Sequence, residues 1–118
     1  MARADLRLTP DEYEAFMSRC NSMVVAALDD NGDFASAIAI ANWRDGALTL
    51  RFHPDDALST LLADGRAMCC TADEAHTYYE IKGVTIHGSG RALAPGLIGV
   101  GITDVVSFDF GKIPDRMK

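Results

Sequence analysis

The first apolar segment of the chain has helical spacing. The side chains that would share one helix face are Tyr13, Phe16, Met17 and Cys20. Thr9 is a good N-cap, Pro10 suits the first helical position, and Glu12 completes a capping box. These signals predict a helix over 10–20, with its apolar side against a sheet or a second subunit.

Strand patterns follow this helix. Apolar, β-prone runs occupy 22–29, 34–43 and 47–52, and short turn segments separate them. Asn31-Gly32 tolerates the positive φ of a hairpin turn. The pattern predicts an antiparallel meander of three strands. Because the second run has few polar interruptions, we expect both of its faces to be covered.

A strand–helix–strand unit follows, and the rest of the chain is organised around it. Pro54 suits the first turn of the helix, and Gly65 suits the left-handed position that ends one. The apolar stripe of this helix consists of Leu58, Leu61 and Leu62. A helix this short is marginal alone, so it must pack against the sheet. A fourth strand is predicted at 66–71.

The remaining pattern predicts a loop at 72–77 and two long strands at 78–92 and 97–110, with a turn at Ala94-Pro95-Gly96. Glycines interrupt the first of these strands, as expected where a strand bends round a barrel. Closing six strands into a barrel would remove the exposed sheet edges. The predicted fold is mainly β: a six-stranded antiparallel barrel with two short α-helices, in one domain over 1–118.

Composition and charge narrow the possible partners. A net charge of −6 argues against nucleic acid and against an anionic membrane surface. No apolar run reaches the ~20 residues of a membrane span, and 1–7 lacks the apolar core of a signal peptide. Cys20, Cys69 and Cys70 have neither metal-binding spacing nor a disulfide framework, so we interpret them as small buried hydrophobes. We therefore expect a cytoplasmic protein.

Several segments together resemble one family. They are the helix at 10–20, the Asn-Gly hairpin, the strand into Arg51-Phe52-His53, the short helix ending Ala63-Asp64-Gly65-Arg66-Ala67, the strand through Lys82–Ala92, and Val105–Lys112. This order resembles the pyridoxamine 5'-phosphate oxidase-like FMN-binding split barrel over nearly the whole chain. The resemblance implies a homodimeric split barrel with FMN, or in some branches deazaflavin or haem, where the two barrels meet.

The same resemblance implies a cofactor site and a redox function on a small-molecule ligand. The residues expected to place their backbone against the isoalloxazine are Ile38, Ala39, Ile40, Phe52 and His53. The candidates for contact with the cofactor phosphate are His53, Ser59 and Thr60, with Lys82 or Arg91 as a cation from the long strand. The flavin itself would supply the oxidation or reduction, and the first helix and last strand would help to bury the dimer interface.

Two positions depart from the family pattern. Members that bind FMN usually carry a basic residue near the start of the short helix, where this chain has Asp56 and Ala57. A helix N-terminus attracts phosphate, but Asp55 and Asp56 already occupy that field. The alternative is therefore a split-barrel binding protein without catalysis, either cofactor-free or with haem or deazaflavin as its ligand.

Other residues have structural alternatives to a chemical role. His53 would serve equally as a cap or a solvated turn residue, and Trp43 as part of the core or the dimer interface. A polar aromatic cluster, which could border a pocket or an interface, consists of His76, Tyr78 and Tyr79. His87 is expected to be an exposed or hydrogen-bonded strand residue. The sequence pattern contains no nucleophile–base–acid set, so catalysis would depend on a cofactor.

Overall fold

The computed structural model describes residues 5–75 and 80–114. Six antiparallel strands close into a barrel with the order β1-β2-β3-β6-β5-β4. The elements are α1 (Pro10–Arg19), β1 (Ser22–Leu28), β2 (Phe34–Arg44), β3 (Ala47–Arg51), α2 (Ala57–Leu61), β4 (Asp64–Ala75), β5 (Ile81–Ala94), β6 (Leu97–Asp109) and a 3-10 helix (Phe110–Lys112). The predicted mainly β barrel with two short α-helices is confirmed.

Helix α1 begins where its capping residues predict. The Thr9 hydroxyl accepts a hydrogen bond from the Glu12 amide at 3.2 Å, and the Glu12 carboxylate accepts one from the Thr9 amide at 2.9 Å. Phe16 and Met17 are buried and join the core of the barrel. The amphipathic pattern therefore sets which face of α1 turns inward.

Glu12 also connects α1 to the end of the chain, because its carboxylate accepts a hydrogen bond from Lys112. That hydrogen bond, with those from Thr9, lowers the pKa of Glu12 from 4.5 to about 2. A depressed pKa in the folded protein means that the contribution to stability is complete above pH 4.5 and is lost as the pH falls towards 2.

We therefore expect Glu12→Gln, which retains an acceptor for the capping box, to flatten the acid side of the stability curve. Urea unfolding followed from pH 6 down to pH 2 would measure the free energy of unfolding of both proteins. If the free energy of unfolding fell equally steeply with decreasing pH in the wild type and the variant, this account would be contradicted.

Alternate residues of the strands point into the barrel. On β5 the inward positions are Val84, Ile86, Gly88 and Gly90. The three cysteines are free, and Cys70 is buried. Burial raises the pKa of the Cys70 thiol to about 12, so this side chain behaves as the predicted small hydrophobe.

The prediction for both ends of α2 was wrong. The helix begins at Ala57, because the Asp56 carboxylate caps it by accepting a hydrogen bond from the Leu58 amide at 2.8 Å. Pro54 instead lies in the preceding turn. The helix ends at Leu61, and Gly65, with φ of 93°, lies at an irregularity in the β4–β5 register.

The predicted loop at 72–77 was also wrong over its first four residues. β4 continues to Ala75 because it pairs with β5 as far as Ile81. The rest of that loop and the first residues of the predicted 78–92 strand, including His76, Tyr78 and Tyr79, lie outside the described residues.

Candidate functional site

Within residues 5–75 and 80–114 the outer face of β2 is exposed, whereas the sequence predicts that both of its faces are covered. Ile38 is 75% exposed and Ile40 is 62% exposed. Ile38 lies opposite Val24 of β1, which is also exposed. The register continues from Val24 through Thr71 and Thr85 to the exposed Val106 of β6. We call Val24, Ile38, Ile40 and Val106 the outer apolar face.

Arg51 lies at one end of this face. It pairs with Ile40 across β2 and β3, and its side chain points out of the barrel between the inward residues Leu50 and Phe52. An apolar strip and a cation are thus neighbours on one surface. Arg51 was not among the sequence candidates, although its place between two core residues of a strand was a usable signal.

Arg51 belongs to an unusual group of cations. Of the eight basic side chains in the described ranges, five lie within ion-pair distance of a carboxylate: Arg7, Arg19, Arg66, Lys82 and Lys112. The other three are Arg44, Arg51 and Arg91, which have neither an ion pair nor a side-chain hydrogen bond within those ranges. All three lie on the outer surface of the barrel, on β2, β3 and β5, in an acidic protein.

The start of α2 is less suited to phosphate. Asp56 already accepts the Leu58 amide, and the His53 Nδ1 accepts the Asp55 amide at 3.2 Å. Ser59 is buried, and its hydroxyl donates to the Asp56 carbonyl at 2.8 Å. A cavity of about 510 Å³ beside Ser59 and Thr60 has no basic residue in its described lining. His53 is exposed in the turn before α2, and its role toward a cofactor stays a prediction.

The remaining predicted site residues do not converge. Ala39 and Phe52 point into the core, so only their backbone is available to a ligand on the outer surface. Lys82 lies 3.8 Å from Glu74. It is also nine residues from Arg91 along β5, or roughly 30 Å. Arg91 lies near the end of α2 instead, because the next residue, Ala92, donates a backbone hydrogen bond to Ala63.

Two further candidates have local partners. The ring of Trp43 meets that of Tyr13 edge-on at 5.5 Å, and its indole N–H donates to Glu14 at 2.9 Å. Trp43 therefore packs against α1. The His87 Nδ1 lies 3.8 Å from a carboxylate oxygen of Asp104, and His87 is exposed on β5.

The closed six-stranded barrel and the two helices form a split-barrel fold. No family model matches the sequence, and no curated protein matches it. The similarity to solved structures is one of fold, at low sequence identity. Within the described ranges, neither helix is long and apolar enough to cross a membrane.

Three solved structures illustrate the fold. A conserved hypothetical protein from Mycobacterium tuberculosis has 16% identity and a TM-score of 0.78, over 96% of this chain and 92% of that one. An FAD binding protein from Mycobacterium smegmatis has 12% identity and a TM-score of 0.73, over 89% and 99%. A candidate pyridoxamine 5'-phosphate oxidase from Corynebacterium glutamicum has 10% identity and a TM-score of 0.68, over 98% and 99%. The matches extend to a haem storage protein from Vibrio cholerae, with 9% identity and a TM-score of 0.63 over 88% and 96%.

Proposed function

We propose that this protein is a cytoplasmic homodimer that binds FMN and uses it to oxidise or reduce a small molecule. The observation that carries this proposal is the outer apolar face, with Arg51 directly beside Ile40. FMN has the same two parts, a flat apolar ring system and a phosphate. Solved structures with this fold include a flavin-binding and a haem-binding protein, which supports a cofactor of this class.

Different residues of this surface fit the ring system and the phosphate of FMN. Ile38 and Ile40 would contact the ring, and the Arg51 guanidinium would bind the phosphate by charge-assisted hydrogen bonds. When bound, the flavin supplies the redox chemistry. The protein would orient the ring and exclude water from it, which the exposed isoleucines can do once a second subunit covers them.

The homodimer follows from the same surface. An apolar face of several neighbouring residues is unfavourable in water, whereas single exposed apolar residues are ordinary. A two-fold dimer would place the same face of both copies in one interface. The cofactor ring would then lie between the subunits rather than on an open surface.

The second candidate is a binding protein without catalysis, either cofactor-free or with haem or deazaflavin as its ligand. The observation that favours it is the acidic start of α2, where Asp55 is exposed and the Asp56 carboxylate already caps the helix. An absorbance spectrum of the purified protein separates these outcomes. A Soret band would support haem, and a flavin band would support the first proposal.

Arg51→Ala is expected to weaken FMN binding about 10-fold to 100-fold, because a hydrogen bond to a charged group contributes ~1.5–3 kcal/mol. Calorimetric titration with FMN and with riboflavin, which lacks the phosphate, would measure this change. Riboflavin affinity should stay the same in the variant.

Asp56→Asn is the control, since asparagine keeps the helix cap and removes the charge. It should change FMN affinity by less than about 3-fold, a difference of ~0.6 kcal/mol. A larger effect of Asp56→Asn than of Arg51→Ala would place the phosphate at α2 and contradict the assignment to Arg51.

A further inference from the structure

We propose that a second ligand site crosses the outer surface of β2, β3, β6 and β5 and binds a ligand with two anionic groups, either phosphates or carboxylates. This site is separate from the proposed flavin site. It consists of two adjoining depressions of about 560 Å³ and 470 Å³, which share Ala47 and Thr49. Together we call them the outer groove.

Each depression contains one of the unpaired arginines. Arg91 lines the larger depression, and Arg44 lines the smaller. The register places Asn42, Thr49, Gly99 and Arg91 side by side on four successive strands, and Arg44 lies two residues beyond Asn42 on the same face of β2. The backbones of Asn42 and Arg91 are therefore roughly 14 Å apart across three strand spacings, and the two-residue offset places those of Arg44 and Arg91 roughly 16 Å apart.

The floor between the arginines leaves room for a ligand. Gly99 and Gly101 of β6 have no side chain there, and Leu93 forms a wall, since a Cβ on Gly99 would lie 3.2 Å from it. The hydroxyls of Thr49 and Ser89 also line the larger depression, and neither has a hydrogen-bond partner within the described ranges. Thr49 thus lies on a strand between the two arginines, and Ser89 lies two residues from Arg91 on β5.

A carboxylate beside each of the two arginines indicates which kind of ligand the outer groove would bind. Asp64 faces Arg91 in the β4–β5 register without approaching to within ion-pair distance, and Asp45 follows Arg44 in the turn. Each acidic neighbour weakens the attraction of one arginine for a single anion. A ligand that reaches both guanidiniums, and accepts hydrogen bonds from Thr49 and Ser89, overcomes this because its two ends bind together.

The test is a calorimetric titration of the purified protein with two probes, inorganic pyrophosphate and citrate. Arg44→Ala and Arg91→Ala should each weaken binding of the preferred probe at least 10-fold. Tighter binding of pyrophosphate would identify a phosphate ligand, and tighter binding of citrate a carboxylate ligand. Thr49→Val, which retains shape without the hydroxyl, should weaken binding about 3-fold to 10-fold.

Arg7→Ala is the control, because it removes the same charge from an exposed side chain that lines neither depression and belongs to neither proposed site. It should change probe affinity by less than 3-fold. Equal losses of probe affinity in all three arginine variants would mean that the general electrostatic field of the protein, not a specific site, attracts the probe. If neither probe binds saturably, the outer groove is not a binding site. Either result overturns the proposal. FMN titration of Arg91→Ala keeps the two proposals distinct, since FMN affinity should not depend on the outer groove.

Discussion

Replacing Ile38 with aspartate is expected to convert the proposed dimer into monomers. Ile38 is 75% exposed in the single chain and has Val24 and Ile40 beside it on the outer apolar face. A two-fold interface would bury the new carboxylate twice, once from each copy, among apolar side chains, and the cation at the end of this face, Arg51, is assigned to the cofactor phosphate. We expect the dimer dissociation constant to rise more than about 100-fold, or ~2.7 kcal/mol, in analytical ultracentrifugation.

Leu93→Asp provides the control for this experiment. Leu93 is also an exposed apolar residue, but it lies at the outer groove rather than on the outer apolar face. Its replacement should leave the dimer intact. A dimer that survives Ile38→Asp but not Leu93→Asp would place the interface at the outer groove and contradict its assignment to the outer apolar face.

Gly88→Ala is expected to give the largest loss of stability among single-methyl changes. A Cβ at Gly88 would lie 2.3 Å from the carbonyl oxygen of Gly101, which is backbone and cannot rotate away. This close approach occurs where the β5–β6 register shifts, between His87 and Gly88. We expect the free energy of unfolding to fall by about 3 kcal/mol, the upper end of ordinary overpacking. Urea unfolding at neutral pH would measure it.

Gly101→Ala tests whether the close approach, rather than the loss of a glycine, causes this effect. A Cβ at Gly101 would meet its nearest neighbour, the Ser89 hydroxyl, at an ordinary 3.5 Å. Its stability should therefore be unchanged or rise by up to about 1 kcal/mol, since alanine reduces the entropy of the unfolded chain. Equal destabilisation by both substitutions would contradict the role given to Gly88.

The parts of the fold that sequence predicted well have local causes. The start of α1 depends on Thr9 and Glu12, which contact each other across one turn. The first hairpin depends on Asn31-Gly32, and Gly32 has the positive φ that such turns require. The pattern along 78–92 predicted a strand that overlaps β5 (Ile81–Ala94), because a strand has a side-chain period of two.

The parts that sequence could not predict depend on distant partners. The extent of β4 is set by its pairing with β5, so residues 72–75 form a strand although they contain two acidic residues. The start of α2 was ambiguous because both Pro54 and Asp56 are good helix-start residues, and only the observed Asp56–Leu58 hydrogen bond decides between them.

The candidate sites show the same limit. Ile38 and Ile40 were named from the sequence, but their exposure depends on what else packs on β2. Arg44 and Arg51 could not be recognised as unpaired until the ion pairs of the other cations were known. The sequence gives the net charge of the chain, which is −6. It does not show which arginines lack an ion pair within the described ranges, because that depends on how the folded surface brings charges together.

Calorimetric titration of the purified wild-type protein with FMN, with riboflavin alongside, tests the central proposal most directly. We expect one FMN per chain with a dissociation constant in the micromolar range, ~8 kcal/mol, and at least about 10-fold weaker binding of riboflavin. Absence of saturable FMN binding would contradict the proposal. It would mean that the outer apolar face serves another ligand or the dimer interface alone.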